Sequence, residues 1–553
     1  MSNNTTLNRG LHGDVIHTID DGEKKTQVVA LSGKQDNGNL KLLNSTAEGH
    51  LEVAIHDPIN PFGSVHTESL TPVFQCDAVY GVNASEMVAT TGLGYDPGVA
   101  PPAANSGSAT AANDLFTCST GTTAFSFGTL QTRKRLRYRA GQGIVGRFTA
   151  LWSAPAASTI VVSGFGSAES GYFFGYSGTT FGILHSTGNA REIQTFTVST
   201  AATVGGAVTF TLNDKQIAVT LAASATTTLT ANDIASQTFP GWKAEARGAT
   251  VVFLADAAGN KTGTFGVTPG TSGLTGSFAE TLAGSTTADT FIAQADWNGD
   301  PCDGTGASGF ILDKTRGNVF QIGVAWLGFG PVTFSIMQPS SDGNNATWIV
   351  VHTINNPNAR TSVHANQPSF PFTMSAYSAG STTNVSVSVG SVAGFIEGPK
   401  KLTGPRMTYF NTSAVTSSTS AYTPIFSVRN DYVYATRANQ SVVNLLSVGG
   451  SANGNANAAT LFVLIKNATL TGPASWAAWS TTSSTYVDTG ATGCTFSNNN
   501  QIIWTGTISQ AGNFVFSFTD ELTLQPGETV TMAVRSVTAT AACIAQLNTR
   551  EDQ

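Results

Sequence analysis

The sequence predicts a mainly β protein: tandem β-sandwich or jelly-roll domains, with a small α+β insertion domain and an extended N-terminal segment. Three observations predict it. Charged residues make up only 11 % of the 553, against about 25 % in an average globular chain, so the Lys, Glu and Arg that coat soluble helices are missing. The Thr, Val and Phe that remain fit a pleated, half-buried surface. The 58 glycines and 20 prolines supply the tight turns of an antiparallel chain. The length implies roughly three to five domains.

Along the chain, residues 1–75 are the most charged part, with Asp20, Asp21, Glu23, Lys24 and Lys25. They hold two short β-like pieces, 27–31 and 51–55, and too little apolar surface for a core, so they are expected to wrap on a neighbour or a partner chain. Residues 92–113, rich in Gly, Ala, Pro and Ser, predict a long loop. Strand signals then strengthen. Residues 133–139, RKRLRYR, put Arg133, Arg135, Arg137 and Arg139 on one face at period two. Residues 144–152 and 159–165 are strands, and 172–183 an aromatic hairpin turned at Ser177 and Gly178.

From 196 to 283 the aromatics thin out. Residues 208–212 and 217–221 predict a hairpin turned at Asn213 and Asp214; 242–247 and 250–254 predict a second. Thr230 and Asp233 read as a capping box opening a short helix at Ile234 that ends by Pro240 and Gly241. Strands resume at 291–294, 320–329, 332–337 and 348–352, and Val385, Val387 and Val389 alternate. EGPKKLTGP, 397–405, is a linker. Beyond it, LFVLI at 461–465, the alternation of Phe514, Phe516 and Phe518, and the Pro526–Gly527 turn predict a jelly-roll-like sandwich. The scheme is therefore an N-terminal anchoring segment, 1–75; an aromatic β-sandwich from two pieces, 76–195 and 284–396; the α+β insertion, 196–283; and a C-terminal sandwich, 406–553. No repeat of 20–50 residues supports a solenoid.

The net charge of −7 is spread without blocks, which gives no support for nucleic-acid or membrane-surface binding. Cys76, Cys118, Cys302, Cys494 and Cys543 are odd in number and far apart, so they are expected to be small buried hydrophobes in a reducing cytosol and not a disulfide or zinc framework. The N-terminus lacks the pattern of a secretory signal, and no apolar run is long enough to span a bilayer. Synthesis in a cytoplasm is the expectation.

Few motifs suggest chemistry. Asp296, Asp300 and Asp303 in DWNGDPCDG are the best metal candidates, since a hard cation takes several oxygens on a flexible loop; the EF-hand spacing is absent, and Asp and Gly also build turns without an ion. The four arginines of 133–139 could track phosphates; the stronger reading is pairing with carboxylates across a subunit contact, because the guanidinium fork bonds them bidentately. His50, His56 and His66 have no zinc spacing. No nucleophile elbow, P-loop or dinucleotide fingerprint occurs. No catalytic residue and no cofactor is assigned.

Several stretches resemble a group of virion structural proteins of tailed bacteriophages, especially phages of aquatic bacteria. They are PFGSVHTESLTPVFQ at 61–75, RYRAGQGIVGRFTALW at 137–152, GYFFGYSGTTFGIL at 171–184, FIAQADWNGDPCDGTG at 291–306 and GNVFQIGVAWLGFGPVTFSI at 317–336. The resemblance covers most of 1–400 and implies a place in the virus particle, not an active site. The expected function is a virion-exposed fibre, tail or head-surface appendage, joined to other virion proteins through 1–75. It is expected to form a homo-oligomer, by analogy a trimer, and to bind host surface glycans. A capsid decoration or cement protein is the alternative, and a tail-associated glycan depolymerase a third. The YFFGY and WLGFG strands also look lectin-like.

Overall fold

The computed structural model divides the chain into two compact units, residues 1–67 and 68–553. It describes 70–93 and 105–552, apart from 140, 168, 287–288, 326, 340–345, 401–403, 455–458 and 520–521, and in the first unit only five short strands. Of these five, Asn4–Thr6, Val15–Asp20 and Lys25–Gln27 form one antiparallel sheet, and Ser32–Lys34 pairs with Leu40–Leu42. Residues 28–31, 51–55 and the candidate histidines His50, His56 and His66 lie outside the described residues.

The second unit is built almost wholly of antiparallel strands, as the composition predicts. Its first part is a sandwich of two sheets. The seven-stranded sheet runs in the order Asp289–Ala293, Thr180–Thr187, Ser170–Ser177, Thr159–Gly166, Ser369–Ser378, Ser126–Arg137, Met87–Leu93. In the nine-stranded sheet opposite, Ala346–Ile354, Val332–Pro339, Asn318–Val324 and Ile144–Trp152 lie side by side. Ser386–Val389 and Ser391–Glu397 both pair with Ile144–Trp152. Inward residues of both sheets meet in one aromatic core. Phe148 stacks on Phe320 with centroids 5.5 Å apart, and Phe174 from the other sheet lies 4.8 Å from Phe320. Gly146 shows how tight this core is: a Cβ there would fall 2.1 Å from the Phe165 ring, so only glycine fits between the sheets.

Three sequence expectations change here. Leu70–Asp77 is a sandwich strand paired with Ser391–Glu397, with Phe74 and Cys76 in the core, so 70–75 do not belong to the N-terminal segment. Ser108–Ala112 is a strand, not loop; its Ala and Thr residues pack against Leu115–Ser119. The strand expected over 320–329 stops at Val324, where the chain turns back toward Val332.

The α+β part has a four-stranded sheet (Trp242–Arg247, Thr250–Ala258, Arg191–Thr200, Thr275–Leu282), a three-stranded sheet (Lys215–Leu221, Gly206–Leu212, Gly266–Thr268) and one helix, Thr227–Ser236. Phe196, Phe210, Phe239 and Phe253 fill its core. The Asn213 and Asp214 turn has positive φ at both residues, the geometry that a two-residue hairpin needs. The boundary expected at 195/196 falls inside the Arg191–Thr200 strand. The helix starts one turn earlier than expected: Thr226 is the N-cap, accepting from the Leu229 amide at 3.2 Å. Thr230 lies inside it, buried, with its hydroxyl given to the Thr226 carbonyl. Asp233 turns away to accept from the Ala222 amide at 2.6 Å.

The C-terminal part is a second sandwich. Arg406–Phe410, Ala541–Asp552, Val442–Gly454 and Gly512–Ser517 face a sheet of Thr485–Asp488, Thr423–Asn430, Thr529–Ser536, Ala459–Lys466 and Ile502–Ser509. Phe426, Val428, Phe462, Met532 and Leu547 fill it. Phe516 does not join that core: Gly512–Ser517 is an edge strand, and Phe516 remains 45 % exposed. All five cysteines are free and buried. Burial pushes the Cys118 and Cys302 thiols up to about 12, which suppresses the thiolate that a nucleophile requires.

Candidate functional site

The cores are joined by polar seams, and the seams enclose a cleft. The α+β part meets the C-terminal sandwich through Ile193, Val252 and Leu254 packed on Val433 and Ala438. Beside this patch Arg247 Nε donates to Asp431 at 2.8 Å and Arg429 Nε to the other Asp431 oxygen at 2.6 Å. The Arg429 guanidinium lies 4.4 Å from the Trp476 ring. Glu245 sits behind, accepting the Tyr432 amide at 2.7 and 2.8 Å. Burial and the Asp431 charge push its carboxyl up to about 8.

The aromatic sandwich meets the C-terminal sandwich through the predicted basic strand. Arg133 donates to Glu528 at 2.8 Å, and Arg139 to Asp552 at 2.9 Å. Arg137 bonds the Asp552 carbonyl and, at 2.6 Å, the Gln440 carbonyl. Pairing with carboxylates is what the arginine spacing predicts; the correction is that these carboxylates belong to the same chain, some 400 residues on, and not to another subunit.

Between the seams lies a cleft of about 650 Å³, within the ~300–1,000 Å³ usual for small-ligand sites. Its floor is the outer face of the seven-stranded sheet. Period-two alternation turns Phe127, Thr129 and Gln131, and on the neighbouring strand Thr373, Ser375 and Tyr377, toward it. Register locks this floor: Thr129 and Ser375 are cross-strand partners with hydroxyls 2.8 Å apart, and Gln131 donates to the Thr373 hydroxyl at 2.9 Å. Trp242 and Lys243 form one wall; Tyr432, Asn439 and Gln440 form the other.

Among the described residues four carboxylates reach the cleft. Glu169 is bonded by Arg191 and, at 2.6 Å, by Ser167. Burial works to raise its carboxyl, but Arg191 and Ser167 outweigh this and hold it below the ordinary range. Glu528 pairs with Arg133 and, at 2.9 Å, with Lys466. Asp256 lies 3.6 Å from Lys243, and Asp289 accepts from the Asn189 amide at 2.7 Å. Glycoside hydrolysis needs a carboxylic acid kept protonated to donate to the leaving oxygen; Glu169, held below the ordinary range, is not such an acid.

The aspartates of DWNGDPCDG are elsewhere. Asp300 accepts the Cys302 and Ser308 amides at 2.9 and 2.7 Å. Asp303 caps Thr305, and Asp296 lies in an exposed 3₁₀ turn. They act as turn residues. Among the described residues no group of three His, Cys, Asp or Glu is placed to hold a metal ion. Sequence reading missed Trp242, Tyr432, Asn439 and Gln440, because the cleft joins segments far apart in the chain. The available signals were the outward Thr, Gln and Ser alternation and the charges inside the apolar run TPIFSVRND, 423–431.

No family model matches the chain, and no curated protein matches it. Among solved structures it is similar to a winged bean acidic lectin complexed with methyl-alpha-D-galactose, at TM-score 0.21 and 8 % identity, over 59 % of this chain and 100 % of that one. It is also similar to the lectin UEA-II complexed with galactose, at TM-score 0.18 and 8 % identity, over 56 % of this chain and 99 % of that one. Likenesses at such scores carry no argument about this chain.

Proposed function

We propose that the chain is a non-catalytic structural component of a tailed-phage particle, exposed on the virion as an appendage, and that its cleft binds glycans of the host surface. The observation that carries the binding reading is the cleft lining. Phe127, Tyr377 and Tyr432 supply aromatic rings, and hydroxyl and amide side chains lie among them. Sugar rings present C–H faces to aromatic side chains and hydroxyls to donors and acceptors of this kind. The ion pairs that hold Glu169 and Glu528 favour binding over cleavage.

The virion reading is supported by the stretches at 61–75, 137–152, 171–184, 291–306 and 317–336, and by a build of fused β-cores with little surface charge. The separate first unit is the part proposed to join other virion proteins. A homotrimer would carry three clefts, so weak single contacts would add up to firm attachment. The test is incubation of the purified chain with host surface polysaccharide. Retention on the polysaccharide without new reducing ends is the expected result; release of reducing ends, or no retention, overturns the binding reading.

A further inference from the structure

Arg135 is the odd member of the basic strand. Arg133, Arg137 and Arg139, on the same strand or just beyond it, each reach a carboxylate of the C-terminal sandwich. Among the described residues Arg135 reaches none, and its Nε is shielded from solvent with no hydrogen-bond partner there. A register shift between Gln131 and Arg135 re-aims this part of the strand. The side chain lines the cleft and also a recess of about 50 Å³ in which Arg137 and Arg139 pair with Asp552. The carboxylate whose charge Arg135 feels most is Glu169, already taken by Arg191 and Ser167. Burial lowers the Arg135 pKa to about 10, so the guanidinium is charged at neutral pH.

A half-desolvated cation without a counter-ion costs free energy that an anionic ligand would return. We propose that the cleft selects acidic glycans, a uronate carboxylate docking on the Arg135 guanidinium while a neighbouring sugar hydroxyl meets the Gln131 side chain. The planar fork suits a carboxylate bidentately. This inference rests on the glycan-binding reading above and specifies its ligand class.

The test is titration of the full chain by calorimetry with an oligogalacturonate and with a neutral malto-oligosaccharide of equal length. The acidic oligomer should bind about ten- to a hundredfold more tightly, and Arg135→Gln should abolish that preference. Equal binding of the two oligomers, or an unchanged preference in R135Q, overturns the acidic inference and leaves the glycan reading standing. Binding of neither oligomer, together with failure on host polysaccharide, removes both. Should R135Q not fold, Ser375→Trp, which fills the cleft from its floor, must abolish binding of the acidic oligomer; undiminished binding overturns the site.

Discussion

Arg247 and Asp431 stand 2.8 Å apart, and the Asp431 side chain is wholly buried. They are 184 residues apart in the chain, one on the α+β sheet and the other at the edge of the C-terminal sandwich. With Arg429 on its second oxygen, Asp431 is neutralised by cations from both sides of the seam. Removing one partner of such a buried pair leaves a charge uncompensated, at a cost of roughly 3–5 kcal/mol. Arg429→Met is therefore expected to destabilise by about that amount, because the buried Asp431 would lose one of its two guanidinium donors and the buried Ala246 carbonyl would lose its Arg429 donor. Urea unfolding measures it. A loss below about 1 kcal/mol would show that the seam contributes little, as exposed pairs do.

Glu245 makes the seam pH-dependent. Its folded pKa of about 8 lies above the ~4.3 of an unfolded chain, so the native state holds the proton more tightly. That contribution is complete below the unfolded value and is lost as pH rises through the folded one. Stability from this group should fall between about pH 4.5 and 8 and then level off. Glu245→Gln keeps a neutral acceptor and should remove the slope. Unfolding midpoints of both proteins at about pH 5, 7 and 9 check it. A gap between them that does not widen with pH contradicts the assignment.

The N-terminal truncation has a sharp boundary. A chain of residues 68–553 keeps Leu70–Asp77 and should melt as the full chain does. A chain of 76–553 loses the strand paired with Ser391–Glu397 and the buried Phe74 ring, the kind of deletion that costs roughly 3–5 kcal/mol. Melting curves compare the two. Equal melting temperatures would mean that this strand adds nothing to the sandwich.

Deleting 196–283 is not neutral either. The cut divides the Arg191–Thr200 strand, uncovers Val433 and Ala438, and strips Asp431 of Arg247. The deletion chain should aggregate or melt well below the parent, by light scattering and calorimetry. A soluble chain with the parent's melting temperature would show that the apolar seam carries no weight.

What could be read from the sequence follows from the range of the forces involved. Alternation is local, so the strands at 144–152, 159–165, 208–212 and 461–465 were legible, and so was the Asn213 turn. The helix start was not, because Thr226 and Thr230 both offer hydroxyls, and the Thr230 hydroxyl is taken by the Ala202 amide, 28 residues away. Phe514, Phe516 and Phe518 alternate as core residues do; Phe514 and Phe518 pack against the core, but Phe516, on an edge strand, stays exposed, which alternation cannot reveal. The spacing of Arg133, Arg137 and Arg139 announced carboxylate partners but not that Glu528 and Asp552 would supply them. The cleft was invisible because its walls are brought together by those long-range pairs.

The central claim, display on a virus particle, is tested most directly by immunogold labelling of intact particles with antibodies raised against residues 68–553. Gold on the outer surface of unbroken virions, at regular positions on tail, fibre or head, is the predicted result. Particles that stay bare while the antibody recognises the free protein would contradict it.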